Sequence, residues 1–188
     1  MLKKNLKVRL ISLTFKIKIH VSLGGRFMIV NGKVIIYKNP NGDTRTAPKN
    51  ISFEQFQEAN DMHMQDVKNV MNELAFEIMA TGRIHDFTKK TKERLFYKNF
   101  LSTMNDGTDF INDEWYQHHI EEERHHLLSK CKEDVNLIDV LEMITDCVCA
   151  GMSRSGDVRP IEINDEILRS ALNNTVDFIK DIVISKTR

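Results

Sequence analysis

The chain has 188 residues, 41% of them hydrophobic and 29% charged, and its 27 basic residues balance 27 acidic ones. This is the composition of one folded domain with a core, and it argues against disorder. No apolar run nears the ~20 residues that a membrane-spanning helix needs. Three cysteines without zinc-ribbon spacing (Cys131, Cys147, Cys149) suit free thiols in a reducing cytoplasm.

The zero net charge hides an asymmetry. Residues 1–27 hold seven Lys or Arg and no acid, so the remainder carries twenty bases against twenty-seven acids. This basic extension ends in Gly24-Gly25-Arg26-Phe27, directly before Met28. Two glycine codons can encode a ribosome-binding purine run, so the natural start is expected at Met28, with 1–27 as upstream sequence. Beyond it, Asn31-Gly32 between β-branched runs predicts a small β-hairpin, and Asn39-Pro40-Asn41-Gly42-Asp43 predicts a turn. Residues 28–50 thus form a hairpin and loop.

Residues 51–188 read as a helical domain. Ser52 with Gln55 forms a capping-box pattern, and Phe53, Phe56, Met64, Val67, Val70, Met71, Leu74 and Ile78 recur at helical spacing up to a terminator at Gly82. A second helix is expected from Phe87–Lys90 to about Met104, and a third from Asp113 to Lys130. A fourth runs from Asn136 to about Ala150, and a last one follows Asn164. The fold class is mainly α, a bundle of about five helices with a small N-terminal hairpin.

Six of the seven histidines fall between positions 63 and 126. His63 lies on the first helix, and His85-Asp86 follows its end. On the third helix His118 and His125 are seven apart, as are His119 and His126, so either pair shares a face. On the fourth, Asp139, Glu142 and Asp146 share a face. Imidazole with carboxylate suits one or two divalent ions of Mn, Fe, Co, Ni, Zn or Mg. Such an ion can activate water and polarise a phosphoryl oxygen. Lys89, one turn after Asp86, is placed to neutralise phosphate charge. Asp139 also fits as an acid in a helix's first turn, whereas Asp146 sits deep in an apolar helix, where an unpaired carboxylate is costly.

The order His63, His85-Asp86 with Lys89, further histidines and a late aspartate resembles the HD-domain superfamily of metal-dependent phosphohydrolases. The resemblance covers residues 60–150. The chain is also similar to an uncharacterised bacterial and phage family, domain of unknown function 5662, through Trp115-Tyr116-Gln117-His118-His119 and Glu123-Arg124-His125-His126. The first resemblance implies an HD-like bundle with His63, His85 and Asp86 as core ligands. It implies one of His118 or His119, with one or both of His125 and His126, at a second metal, and Asp146 or Asp139 as the last ligand, Asp146 being favoured.

The expected activity is hydrolysis of a nucleotide or related phosphate ester by metal-activated water, with Lys89, Arg154 or Arg159 steadying the phosphate. The setting would be the cytoplasm, or a host's cytoplasm for a phage-encoded chain. Two departures stand out: only 22 residues separate His63 from His85, and the later histidines share one helix. These leave room for a di-iron oxygenase of the same superfamily, or for a non-catalytic interaction protein with a structural metal. A ferritin-like di-iron site is disfavoured, because only one Glu-x-x-His region is present. Nucleic acid is not expected as a partner, since the chain after Met28 is net acidic without a basic stripe.

Overall fold

The computed structural model describes residues 29–30 and 32–187. The basic extension and the expected start at Met28 lie outside the described residues. Strands β1 (Ile29–Val30) and β2 (Lys33–Tyr37) pair antiparallel across positions 31–32, with Gly32 at φ 73°. Tight two-residue hairpins need that positive φ, so the hairpin forms where it was expected. Seven helices follow: α1 (Phe53–Ile84), α2 (Phe87–Thr91), α3 (Glu93–Asp106), α4 (Glu114–Glu122), α5 (Leu127–Lys130), α6 (Leu137–Arg154) and α7 (Asp165–Ile182). The chain is mainly helical, and no helix among the described residues is long and apolar enough to cross a membrane.

Two of the five expected helices are broken. The second divides at Lys92 into α2 and α3, and the third gives way between α4 and α5, over Glu123–His126. A strand absent from the sequence reading, β3 (Val183–Lys186), follows α7 and pairs parallel with β2. Its Val183-Ile184-Ser185 run is short and abuts a helix, so helical periodicity absorbed it.

The chain divides into two compact units, one made of residues up to Leu74 with Phe178 onward, the other of Ala75–Asp177. In the first, β2 and β3 share an apolar cavity with α1, lined by Ile36, Val183, Val67, Val70 and Met71. Ser52 and Gln55 cap that helix reciprocally: Ser52 N–H donates to Gln55 Oε1 at 2.9 Å, and Gln55 N–H to Ser52 Oγ at 3.3 Å. The helix is about 48 Å long at 1.5 Å per residue, and three short strands cannot cover it. Phe53, Phe56, Met64, Val67 and Met71 are therefore exposed rather than core-facing, contrary to the stripe's expectation.

The second unit has its own core of Leu127, Val135, Val140, Met143 and Ala171, flanked by Ile163 and Ile167. Asn136 starts α6 with a full capping box in which Asp139 supplies the N3 carboxylate. Asn174 on α7 donates to the carbonyls of Glu133 and Val135, and Thr175 Oγ1 accepts from Leu137 N–H, which fixes α7 against the start of α6. Near the end of α6 the chain doubles back closely over Gly151. A Cβ there would stand 2.6 Å from the Asp157 carbonyl and 3.1 Å from Val158 Cα, both backbone atoms. Gly151→Ala is expected to destabilise by ~1–3 kcal/mol through overpacking, read as a lower urea midpoint with unchanged slope; an unchanged midpoint would contradict the close approach.

Candidate metal centre

The site lies wholly within the second unit. His85 and Asp86 sit between α1 and α2, His119 on α4, His125 and His126 in the break before α5, and Glu142 and Asp146 on α6. The break in the expected third helix is what builds the cluster. On one continuous helix, residues seven apart lie about 10 Å along the axis. The turn at Glu123–His126 instead folds the chain back, so His126 Nε2 reaches to 2.8 Å from His119 Nε2. Arg124 fastens that turn to α6. Its Nε and Nη2 donate to Asp139 Oδ1 and Oδ2, each at 2.7 Å, and its Nη1 donates to Asp134 Oδ1 at 2.9 Å. Burial acts to lower the Arg124 pKa, but its bonds to the two aspartates outweigh this and raise it.

Asp86 is the N-cap of α2 and adopts the left-handed conformation, at φ 56°. Aspartate tolerates this region better than most residues, though at a cost of order 1–3 kcal/mol. The conformation turns the carboxylate inward. Its Oδ2 accepts from Lys89 Nζ and lies 3.2 Å from His85 Nε2. Its Oδ1 lies 3.4 Å from His119 Nε2 and 3.7 Å from His125 Nε2, and is buried without a hydrogen-bond partner. Burial pushes the Asp86 carboxyl up, and Lys89 with the nearby histidines more than reverses this, so it is held below the usual range.

His125 is 3% exposed, and neither of its ring nitrogens has a hydrogen-bond partner. Its Nδ1 stands 3.2 Å from Glu142 Oε1, near enough for charge attraction but off the direction of a hydrogen bond. Glu142 Oε1 also lies 2.9 Å from His85 Nδ1, and Asp146 Oδ1 lies 3.4 Å from His85 Nε2. Burial acts to lower the His125 pKa, but Glu142, Asp86 and Asp146 raise it. The three carboxylates thus draw positive charge into the middle of the cluster.

Two ligand sets follow, each able to hold a metal ion: Asp86, His119, His125 and His126 in one, His85, His125 and Asp146 in the other, with the ligand atoms of each within 4.8 Å of one another. Orphaned, buried nitrogen and oxygen atoms of these types fit a divalent ion. The site is sealed on one side and open on the other, with side-chain exposures of 4% and 2% for His119 and His125 against 28% and 34% for His85 and Asp146.

Of the residues expected from sequence, His85, Asp86, His119, His125, His126 and Asp146 converge here, with Lys89 beside Asp86. His118 belongs to neither set: it is next to His119 and only half-buried, so it presents a different face of α4. Asp139 is corrected as a ligand, because Arg124 and the Asn136 N–H use both its oxygens. His63 is also corrected. It belongs to neither ligand set and lies on the first unit's part of α1, whereas both sets lie in the second unit. It is exposed there, lining an apolar cavity of about 570 Å³ within the first unit, beside Asp66 and Val67. Arg154 and Arg159 are solvent-exposed, with no part in either ligand set.

Three further neighbours, Glu142, Thr88 and Glu123, are not among the site residues expected from sequence. Glu142 had a signal, as a carboxylate one turn from Asp146 on an apolar helix. Buried Thr88 and Glu123, which join at His119 Nδ1, had none. Burial pushes the Glu123 carboxyl up, with the Thr88 hydrogen bonds acting against it.

Burial first, then the neighbouring histidines, push His119 and His126 down to about 3 and about 4. Both rings are neutral at pH 7 and offer lone pairs, which metal ligation requires. The unfolded chain takes up protons near pH 6.5, the ordinary histidine value, that the fold refuses. Their contribution to stability is therefore present above pH ~6.5 and lost as pH falls toward ~4. His125, raised, acts in the opposite sense, one ring against two. Urea midpoints of the metal-free protein are expected to fall steadily from pH ~6.5 to ~4, and a flat profile across that window would contradict the burial of neutral rings.

No family model, curated protein or solved structure matches the chain, so the chemistry of its own side chains is what bears on function.

Proposed function

We propose that the cluster binds one or two divalent metal ions and that the chain is a metal-dependent phosphohydrolase, of the kind its resemblance to HD-domain proteins implies, acting on a nucleotide or related phosphate ester. The observation that carries the metal reading is His125, a buried imidazole with two unpartnered nitrogens among three carboxylates. A bound divalent ion supplies a Lewis acid for a phosphoryl oxygen and a means of activating water. His119, His125 and His126 provide nitrogen ligands, and Asp86 and Asp146 provide the compensating charge. Glu142 orients His85 through its 2.9 Å contact at Nδ1, leaving Nε2 to face the site.

The accessible side at His85 and Asp146 favours catalysis, because a substrate needs an approach that a closed coordination shell denies. Lys89 stands at the cluster through Asp86 and supplies a cation for phosphate. Exposed Arg154 and Arg159 keep only the role of flexible phosphate contacts. A purely structural ion is the second reading, favoured by the deep burial of His119 and His125.

Elemental analysis of untagged protein is expected to find stoichiometric Mn, Fe, Co, Ni, Zn or Mg. His125→Ala and Asp86→Ala should each weaken metal binding by ~10²-fold or more, since loss of mere supporting groups already costs ~10–100-fold. With metal restored, a panel of nucleotides and p-nitrophenyl phosphate should show turnover that Asp146→Ala abolishes. Metal content unchanged in His125→Ala would end the metal reading, and stoichiometric metal without turnover would favour the structural one.

A further inference from the structure

Thr88 is completely buried, and its hydroxyl oxygen lies 2.6 Å from His119 Nδ1 and 2.6 Å from Glu123 Oε1. The same Glu123 oxygen accepts the Thr88 backbone N–H at 2.8 Å. Glu123 is itself 4% exposed, so no water shell competes for these bonds. A threonine hydroxyl has one proton to give. Here it goes to the Glu123 carboxylate, which leaves the Thr88 oxygen as an acceptor towards the imidazole. His119 Nδ1 must then be the nitrogen that carries hydrogen, and Nε2 carries the lone pair. That Nε2 is the atom facing Asp86 Oδ1 at 3.4 Å and His126 Nε2 at 2.8 Å. The ring has little freedom to turn away. It stacks on Trp115 with centroids 4.7 Å apart and planes at 16°, and Trp115 stacks in turn on Phe96 at 3.9 Å.

We propose that Thr88 and Glu123 are positioning residues that lock His119 in its Nδ1–H tautomer and so aim its Nε2 lone pair at the metal. This inference rests on the metal-centre reading above, because the lock acts through His119 and touches neither ion nor substrate. A hydroxyl and carboxylate behind a ligating imidazole fix its orientation and raise its basicity. The arrangement also explains why α2 begins with a strained aspartate: the turn at Asp86 brings both its own carboxylate and Thr88, two residues on, to opposite edges of one imidazole.

Two measurements test this. In metal-free wild-type protein, imidazole nitrogen–proton correlation NMR reads the tautomer of His119, assigned by its loss in His119→Gln. Nδ1–H is expected, and Nε2–H overturns the proposal. Manganese and zinc titrations then compare side-chain variants. Thr88→Val, which keeps shape but removes the hydroxyl, is expected to bind ~10–100-fold more weakly, with Thr88→Ser within a few-fold of wild type. Wild-type affinity in Thr88→Val overturns the proposal. Should that variant fail to fold, Glu123→Gln takes its place, with a ~10-fold loss expected and unchanged affinity overturning it. An Nδ1–H tautomer in a wild-type chain that binds neither metal would uphold the lock and overturn the metal centre, so the two failures are distinguishable.

Discussion

An imidazole buried without a hydrogen bond is the constraint around which the second unit is arranged. An unsatisfied polar group inside a protein costs ~1–3 kcal/mol, more when charge is involved. His125 has two such nitrogens, and the Asp86 oxygen facing it is a third orphan. A chain that pays this cost must hold the groups against their tendency to separate or to admit water. The surroundings of His125 do so from several directions. Arg124, its chain neighbour, is forked onto Asp139 and Asp134. Asp86 is held inward by a left-handed turn and by Lys89. His119 is clamped between an aromatic stack and the Thr88 hydroxyl. Each of these fastenings would be superfluous if the cluster were a casual meeting of polar side chains.

Charge supplies the missing partner. Asp86 and Glu142 are both held below the usual carboxylate range despite burial, so the centre collects negative charge that its histidines offset only in part. The raised pKa of His125 reflects that charge, and a divalent ion would offset it while engaging the orphaned nitrogens. The burial gradient then gives the centre a direction. His119, His125 and Thr88 form its floor, whereas His85 and Asp146 form the rim that a phosphate ester could approach.

Much of this was legible in the sequence because it rests on local rules. The Ser52–Gln55 capping box, the Asn31-Gly32 hairpin and the Asn136 helix start each depend on a few adjacent residues. Asp146 was marked by an acid among apolar neighbours, and Asp139 already had an ordinary explanation as an N3 residue. What could not be read was how segments meet. A seven-residue spacing fits His118–His125 as well as His119–His126 on a continuous helix, and only the break at Glu123–His126 selects His119. His63 belongs to neither ligand set and lies in the first unit, whereas both sets lie in the second. Thr88 and Glu123 are ordinary residues in sequence, and their role exists only in the three-dimensional meeting at His119 Nδ1.

The most direct test of the metal centre is a crystal grown or soaked with manganese and measured at a wavelength where manganese scatters anomalously. The expected result is a peak at ~2.0–2.3 Å from His119 Nε2, from a His125 nitrogen and from an Asp86 oxygen. A cluster with no peak, its histidines hydrogen-bonded to ordered water in the ion's place, would contradict the account.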